Sequence, residues 1–191
     1  MGSPIRTRNK YATPMHPWEK ERLVQEKKIM QDYGLVNKKE IWKVSSKLKD
    51  FKDNAKSLVA KSGGQAEKER KQLADKLKAY GLVESDSLDE ILGLNVERLL
   101  DRRLQTMLVK KGLARSVKQA RQMITHRHVS VNGKMITAPG YLVSIKEEES
   151  IHFYPGSSFN DTMHPERAIP EKPEVKAEET STEKGKVEEN A

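Results

Sequence analysis

The sequence predicts an α+β fold in which a mainly helical N-terminal region precedes a small module of two helices and a bent antiparallel sheet. Apolar residues recur every three or four positions over about residues 19–125, which is the period of an amphipathic helix. From His128 onward the period changes to two, and Asn132-Gly133 is a strong signal for a two-residue hairpin. Hydrophobic residues make up 35% of the 191 positions and charged residues 34%, so we expect small cores and much solvated surface.

The N-terminal region divides into a basic extended arm, residues 1–18, and a helical domain, residues 19–97. The arm is rich in Pro and Arg and contains too few aliphatic residues to pack alone. In the helical domain the apolar spacing predicts four helices, at residues 19–33, 38–61, 65–80 and 87–92. Gly34 and Gly81 each stand in the string Tyr-Gly-Leu-Val, and we expect each to end a helix in the left-handed conformation.

The module predicted at residues 98–157 begins with a single helix that Gly112 terminates. A second helix begins at Ser116, whose side chain is predicted to form a capping box with Gln119. Two hairpins are expected to follow, with strands at residues 128–131 and 134–137, and at 141–145 and 150–154. Residues 158–191 are rich in Pro and Glu, which predicts an acidic disordered tail.

The composition excludes several classes of protein. The sequence has no Cys, which excludes disulfide frameworks, thiolate metal sites and cysteine nucleophiles. It has no run of about 18 apolar residues and no apolar signal region behind its first basic residues, so we expect a cytoplasmic protein without a membrane partner. The five His residues are scattered, and we expect neither a metal site nor a cofactor.

The net charge of +8 is distributed unevenly along the chain. Residues 1–80 carry +10 and residues 98–134 carry +9, whereas the segment between them carries −5 and the rest of the chain is acidic. Two separate basic regions predict two contact surfaces for a polyanion. Residues 98–134 contain ten Lys and Arg but only one acidic residue, Asp101, so ion pairs within this segment cannot neutralise its positive charge. We therefore expect the segment to bind an anion.

The second helix of the module carries a polar face of Lys118, Arg121, Gln122 and Thr125, which recur at helical spacing. A charged helix face taken alone is usually only solvated. Because the first hairpin adds further cations beside this face, the sequence predicts a basic ridge suited to the phosphates of a structured RNA.

Four segments of the module resemble a known RNA-binding domain, the one named after protein four of the small ribosomal subunit. The matching segments are Leu99–Leu104, Gly112–Ser116, Gln119–Gln122 and Val129–Lys134. The arm, with Tyr11 and His16-Pro17-Trp18, and the string Glu40-Ile41-Trp42 are similar to the archaeal form of that ribosomal protein family.

The resemblance implies a structural protein that binds the 5′ domain of small-subunit rRNA and lies beside neighbouring small-subunit ribosomal proteins. It also implies a role in nucleating assembly of the subunit body and in translational accuracy, with no enzymatic activity and no small-molecule substrate. Many bacterial members have a metal-binding cysteine cluster in the arm that this chain lacks, and we therefore expect RNA contacts to order its arm.

The residues carried over as candidates for RNA contact lie on the module's helices and first hairpin. They are expected to contact mostly phosphate and sugar. They are Arg102, Arg103, Lys110, Arg115, Ser116, Lys118, Gln119, Arg121, Gln122, His126, Arg127, His128 and Lys134.

Other classes of protein carry a similar module, among them pseudouridine synthases, tyrosyl-tRNA synthetases and a small heat-shock RNA binder. The alternatives are therefore a free-standing binder of structured RNA or an accessory subunit of an RNA-modifying enzyme. Asp101 echoes the aspartate motif of pseudouridine synthases, but the large mixed-sheet domain that such chemistry needs does not fit here, so Asp101 is interpreted as a helix first-turn residue. A third alternative is a protein-docking role for the helix at residues 38–61.

Overall fold

The α+β fold is confirmed by a computed structural model, which describes residues 9–161 and 164–167. The helices are α1 (Lys20–Asp32), α2 (Lys38–Ala60), α3 (Gly64–Ala79), α4 (Leu88–Leu92), α5 (Val96–Asp101), α6 (Leu104–Lys110), α7 (Val117–Thr125) and α8 (Ile145–Glu148). The strands are β1 (Val129–Val131), β2 (Lys134–Met135) and β3 (Ile151–Phe153), and 3-10 turns lie at Ser158–Asn160 and Pro165–Arg167. No helix in the described part of the chain is both long enough and apolar enough to cross a membrane.

The four helices predicted in the N-terminal region are confirmed, as are two of their terminators. Gly34 has φ 56° and Gly81 has φ 65°, both in the left-handed region. After α1 the N–H of Leu35 donates to the carbonyl of Met30, and after α3 the N–H of Leu82 donates to the carbonyl of Leu77. These bonds satisfy carbonyls that the helix ends would otherwise leave free.

The apolar seam of α2 organises the core of the helical domain. The buried residues of this core come from α2, α3, α4 and α5 and from the turns between them: Leu48, Ala55, Leu77, Leu82, Val83, Ile91, Leu94 and Leu99. A smaller cluster of Leu35, Ile41 and Leu100 lies beside it. Because α2 contacts helices on both sides, its 23 residues form the spine of this domain.

The described part of the arm is held against α2 by contacts within the protein. The N–H of Ala12 donates to Ser46 Oγ at 2.9 Å, and the ring of Tyr11 lies 6.1 Å from that of Trp42. Arg22 Nη2 donates to the carbonyls of His16 and Pro17. The expectation that RNA contacts order the arm therefore needs correction for residues 9–18, since these residues already have protein partners.

The prediction of a single helix at the start of the module is wrong, because Arg102 and Arg103 separate α5 from α6. The N–H of Leu104 donates to the carbonyl of Tyr141 at 2.8 Å, and the N–H of Val143 donates to the carbonyl of Arg102 at 2.9 Å. A returning segment thus takes the backbone groups that would have continued the helix.

The predicted second hairpin is also wrong. Ser144 and Glu147 form a capping box, and α8 occupies the positions expected for the end of one strand and the charged turn. β3 pairs instead with β1, with Val129 opposite Phe153, so that the antiparallel sheet has the order β2-β1-β3. The first hairpin is confirmed, with Asn132 at φ 51° and Gly133 at φ 73° in its turn.

The core of the module lies between α6, α7 and the sheet. Its buried members are Leu104, Met107, Leu108, Ala114, Ala120, Met123, Ile124, Val129, Val131, Val143, Ile151 and Phe153. Phe159 packs on this core, with its ring 5.9 Å from that of Phe153, and the guanidinium of Arg167 lies 5.4 Å from the Phe153 ring. The start of the segment assigned to the tail therefore packs on the module, and residues 168–191 lie outside the described residues.

Gln105 joins the helical domain to the module. Its side chain is fully buried, and its Nε2 donates to the carbonyl of Val117 at 2.8 Å and to that of Gly34 at 3.3 Å. Nearby, the hydroxyl of Tyr33 donates to Asp101 at 3.3 Å, and burial together with this carboxylate raises the pKa of Tyr33 to about 12. The end of α1, the start of α6 and the start of α7 thus meet at one point.

Candidate nucleic-acid interface

Helix α7 is the element that presents the predicted face. Ser116 Oγ accepts a hydrogen bond from the N–H of Gln119 at 3.2 Å, as expected of the cap. Gln119 Oε1 accepts from the N–H of Arg115 at 2.8 Å, one residue earlier than a capping box requires. Ala120, Met123 and Ile124 face the core, so the remaining positions of the helix point away from it.

Several predicted cations line the outer side of the module. Arg115 and Lys118 are exposed at the start of α7, and Lys134 is exposed in the hairpin. Arg127 follows α7 with φ 66°, a left-handed conformation that ends the helix and leaves its side chain exposed. Lys110 lies at the end of α6, where its Nζ is 3.3 Å from a carboxylate oxygen of Asp101 and half of its side chain is exposed.

Three other predicted cations are paired with carboxylates inside the fold. Arg103 is 3% exposed, and its Nη2 lies 2.8 Å from Glu40 Oε2. Arg121 donates to both oxygens of the same carboxylate, at 2.8 and 3.2 Å. Arg102 lies 3.0 Å from Glu148 Oε2.

These pairs correct the charge argument made from the sequence. Residues 98–134 contain only Asp101 as an acidic residue, but Glu40 comes from α2 and Glu148 from α8. Burial raises the pKa of Glu40, and the hydrogen bonds from Arg121 and Arg103 more than offset it, so that the net pKa lies below the usual value. The basic surplus of the module is therefore partly neutralised by the protein itself.

His128 lies beside the 3-10 turn that follows β3. Its Nδ1 is 2.8 Å from Ser157 Oγ, and its ring meets that of Phe159 edge-on at 4.8 Å. The parallel ring of His126 is 6.3 Å away. Burial, followed by the nearby His126 and His164, lowers the pKa of His128, so its neutral form is favoured.

The thirteen candidates therefore fall into three groups. Arg102, Arg103 and Arg121 serve internal ion pairs, and Gln119 and His128 are half-buried. The exposed candidates are Lys110, Arg115, Ser116, Lys118, Gln122, His126, Arg127 and Lys134.

Sequence reasoning missed the contacts of three residues that shape this region, Glu40, Ser157 and Phe159. Glu40 gave no local signal, because its partners lie 63 and 81 positions away. A signal for the other two was present: Ser157 caps a short turn by accepting from the N–H of Phe159, an isolated aromatic residue in a polar segment. Over residues 9–161 and 164–167, no cluster of three or more His, Asp or Glu side chains fits a metal ion.

The module consists of two short helices packed on a small sheet, with one basic outer side. This architecture defines the class of S4-domain proteins, and the family model of the S4 domain matches residues 102–149. The chain is 50% identical over 169 residues to the small ribosomal subunit protein uS4 of Methanococcus maripaludis strain C5, covering 87% of this chain and 95% of that protein. It is 48% identical to the protein of the same name from Methanococcus aeolicus, covering 96% of it. The chain belongs to the uS4 family of small ribosomal subunit proteins, as the resemblance implied, and it is a structural ribosomal protein rather than an enzyme.

Proposed function

We propose that this chain binds small-subunit rRNA directly, as a structural component of the cytoplasmic ribosome. Its membership of the uS4 family and its S4 domain support this function. The proposal includes the finer expectations that the rRNA partner is the 5′ domain, that binding helps to nucleate the subunit body, and that the chain contributes to translational accuracy. We also propose that the domain boundaries predicted from the sequence hold, except that the module, predicted at residues 98–157, extends to include the turn at Ser158–Asn160.

The observation that carries the proposal is a basic surface on the module, which consists of exposed cations without a carboxylate partner. Among the described residues, Arg115, Lys118, Arg127 and Lys134 form no ion pair, and all four are exposed. Unpaired cations of one sign repel each other and favour a polyanion. Phosphates neutralised by such side chains release counterions, which supplies much of the affinity for a nucleic acid.

The internal ion pairs give this basic surface a fixed shape. Glu40 bonds Arg121 on α7 and Arg103 at the break before α6, so α7 is anchored to α2. Because the surface is held in place before RNA arrives, less conformational entropy is lost on binding. In this account Arg103 and Arg121 position the surface, and the exposed cations contact the phosphates.

A second basic surface is proposed on the helical domain. Lys47 of α2 and Lys76 of α3 line one side of a cleft of about 450 Å³, and the module forms the opposite side with Gly140, Tyr141 and the carboxylate of Glu147. A strand of RNA crossing this cleft would contact both domains at once.

We assign contacts with neighbouring ribosomal proteins to the arm. Met15 and Trp18 are each 89% exposed, although the arm around them is fixed to α1 and α2. Large exposed apolar side chains on an ordered segment favour a protein interface, in which Trp is a frequent anchor.

Hydroxyl-radical footprinting on intact small-subunit rRNA tests the proposed function. Wild-type protein is expected to protect one cluster of nucleotides within the 5′ domain. A variant with Arg115, Lys118, Arg127 and Lys134 changed to Gln is expected to lose that protection while its circular dichroism stays unchanged. Protection scattered over all domains, or protection that the variant retains, would contradict the proposal and favour a general RNA anchor.

A further inference from the structure

A cleft lies beside the basic surface, between α7 and the 3-10 turn Ser158–Asn160. Its volume is about 260 Å³. The described residues that line it are Gln119, Gln122, Met123, His126, His128 and Phe159. None of these side chains carries a permanent charge, so the cleft differs in chemistry from the basic surface next to it.

The walls of the cleft combine aromatic faces with hydrogen-bonding groups. Phe159 is packed among three rings, meeting His128 edge-on at 4.8 Å, with His164 at 4.6 Å and Phe153 at 5.9 Å. His126 is exposed and lies parallel to His128. Met123, 1% exposed, forms an apolar floor. Gln122 is exposed on the helix, and its amide offers both a donor and an acceptor.

The surroundings of the cleft bear on what it holds. Lys118 lies one helical turn before Gln122, and Arg127 follows His126 directly, so two exposed cations are close in the chain to residues of the cleft. A phosphate would bind at these cations rather than against Met123 and Phe159, where it would lose its hydration without a charged partner. An uncharged planar group joined to a phosphate fits the rings, the amide and these cations together.

We propose that this cleft receives one unstacked nucleobase from a loop or bulge of the RNA. The inference rests on the proposed function, because the cations must first hold the backbone of that RNA. Gln122 would bond an edge of the base, the exposed ring of His126 would stack on its face, and Phe159 would close the inner wall of the cleft. The cleft would then add base recognition to a surface that otherwise contacts phosphate and sugar.

The test uses the full-length chain and a 5′-domain fragment of archaeal small-subunit rRNA. Chemical probing of base edges identifies nucleotides that wild-type protein protects and that the double variant Gln122→Ala/His126→Ala leaves reactive. Both side chains are exposed, so the variant keeps the fold, which circular dichroism verifies. Lys118→Gln is the matched control on the same helix, and it is expected to weaken binding without exposing that nucleotide.

The identified nucleotide is then replaced by an abasic one. We expect wild-type protein to lose about tenfold in affinity for the abasic RNA, and the double variant to lose little further, because both changes remove one contact. The inference would be overturned if the abasic RNA and the double variant reduced affinity independently and additively, or if no nucleotide depended on Gln122 and His126. The proposed function would still stand in that case, provided that binding to the fragment remained specific. If wild-type protein shows no preference for the fragment over unrelated RNA, the proposed function fails and the inference fails with it.

Discussion

Glu40 Oε2 lies 2.8 Å from Nη2 of Arg103, a guanidinium that is almost completely buried where α5 gives way to α6. The other oxygen of this carboxylate accepts from Arg121 on α7. One side chain of the helical domain therefore binds both the arginine at the break between α5 and α6 and the helix that carries the basic surface.

Replacing Glu40 with Gln leaves Arg103 buried without its counter-charge. The expected loss in the free energy of unfolding is about 2–4 kcal/mol, since removing one partner of a buried ion pair is strongly destabilising. Asp50→Asn on the same helix makes the same change of charge at an exposed position and is expected to cost less than about 0.5 kcal/mol. Urea unfolding of both variants decides the matter, and equal stabilities would refute a structural role for the ion pair.

Gly34→Ala tests the close approach of α1 to α6 and α7. Gly34 has φ +56°, and a Cβ added there would lie 3.1 Å from Gln105 Nε2 and from a methyl group of Val117. Gly133 has φ +73°, with nothing within 4 Å of an added Cβ. Gly133→Ala is expected to cost about 1–2 kcal/mol from backbone strain, and Gly34→Ala at least about 1 kcal/mol more from crowding. Thermal unfolding that ranks the two variants equally would show that this contact is not tight.

His128 makes stability depend on pH. Its pKa is lowered in the folded protein, so the unfolded chain takes up the proton first as the pH falls. The stability contribution is therefore greatest above the unfolded pKa of about 6.5 and declines as the pH falls from there through the folded pKa. The variant His128→Gln should unfold more easily at pH 8 but lose less stability between pH 7 and pH 5 than wild-type protein does. The exposed His152→Gln serves as control, and an unchanged pH slope in His128→Gln would contradict this account.

Lys118→Gln measures a single phosphate contact. The slope of the logarithm of RNA affinity against the logarithm of salt concentration is expected to become shallower by about 1. Lys146→Gln removes another exposed cation, on α8 and outside the set assigned to RNA contact, and is expected to leave the slope unchanged. Equal changes in the two variants would indicate a diffuse electrostatic effect in place of a defined surface.

Much of the fold is readable from local patterns. Local patterns, formed by residues within a few positions of each other, predicted four features correctly. These are the helices of the N-terminal region, the glycines that end α1 and α3, the cap at Ser116 and the hairpin at Asn132-Gly133. The break at Arg102 and Arg103 is not local in this way, because it exists only when the segment near Tyr141 returns to bond it. The strand partner of β3 was missed for the same reason, since β1 lies some twenty positions earlier.

The candidate site was likewise predicted only where local sequence determines it. The sequence identified the cations but did not distinguish those that face solvent from those that serve internal pairs. That distinction depends on Glu40 and Glu148, which lie outside the basic segment of residues 98–134. The cleft at Phe159 was not predicted, because Phe159 meets His128 only when β3 has folded back against β1.

Specific recognition of small-subunit rRNA distinguishes the proposed function from general RNA binding. The most direct measurement is equilibrium binding to a 5′-domain fragment and to an unrelated structured RNA of equal length, over a series of salt concentrations. We expect the chain to bind the 5′-domain fragment more tightly than the unrelated RNA. This preference should persist at high salt, where attraction by counterion release fades. Equal affinities that vanish together as salt rises would contradict it.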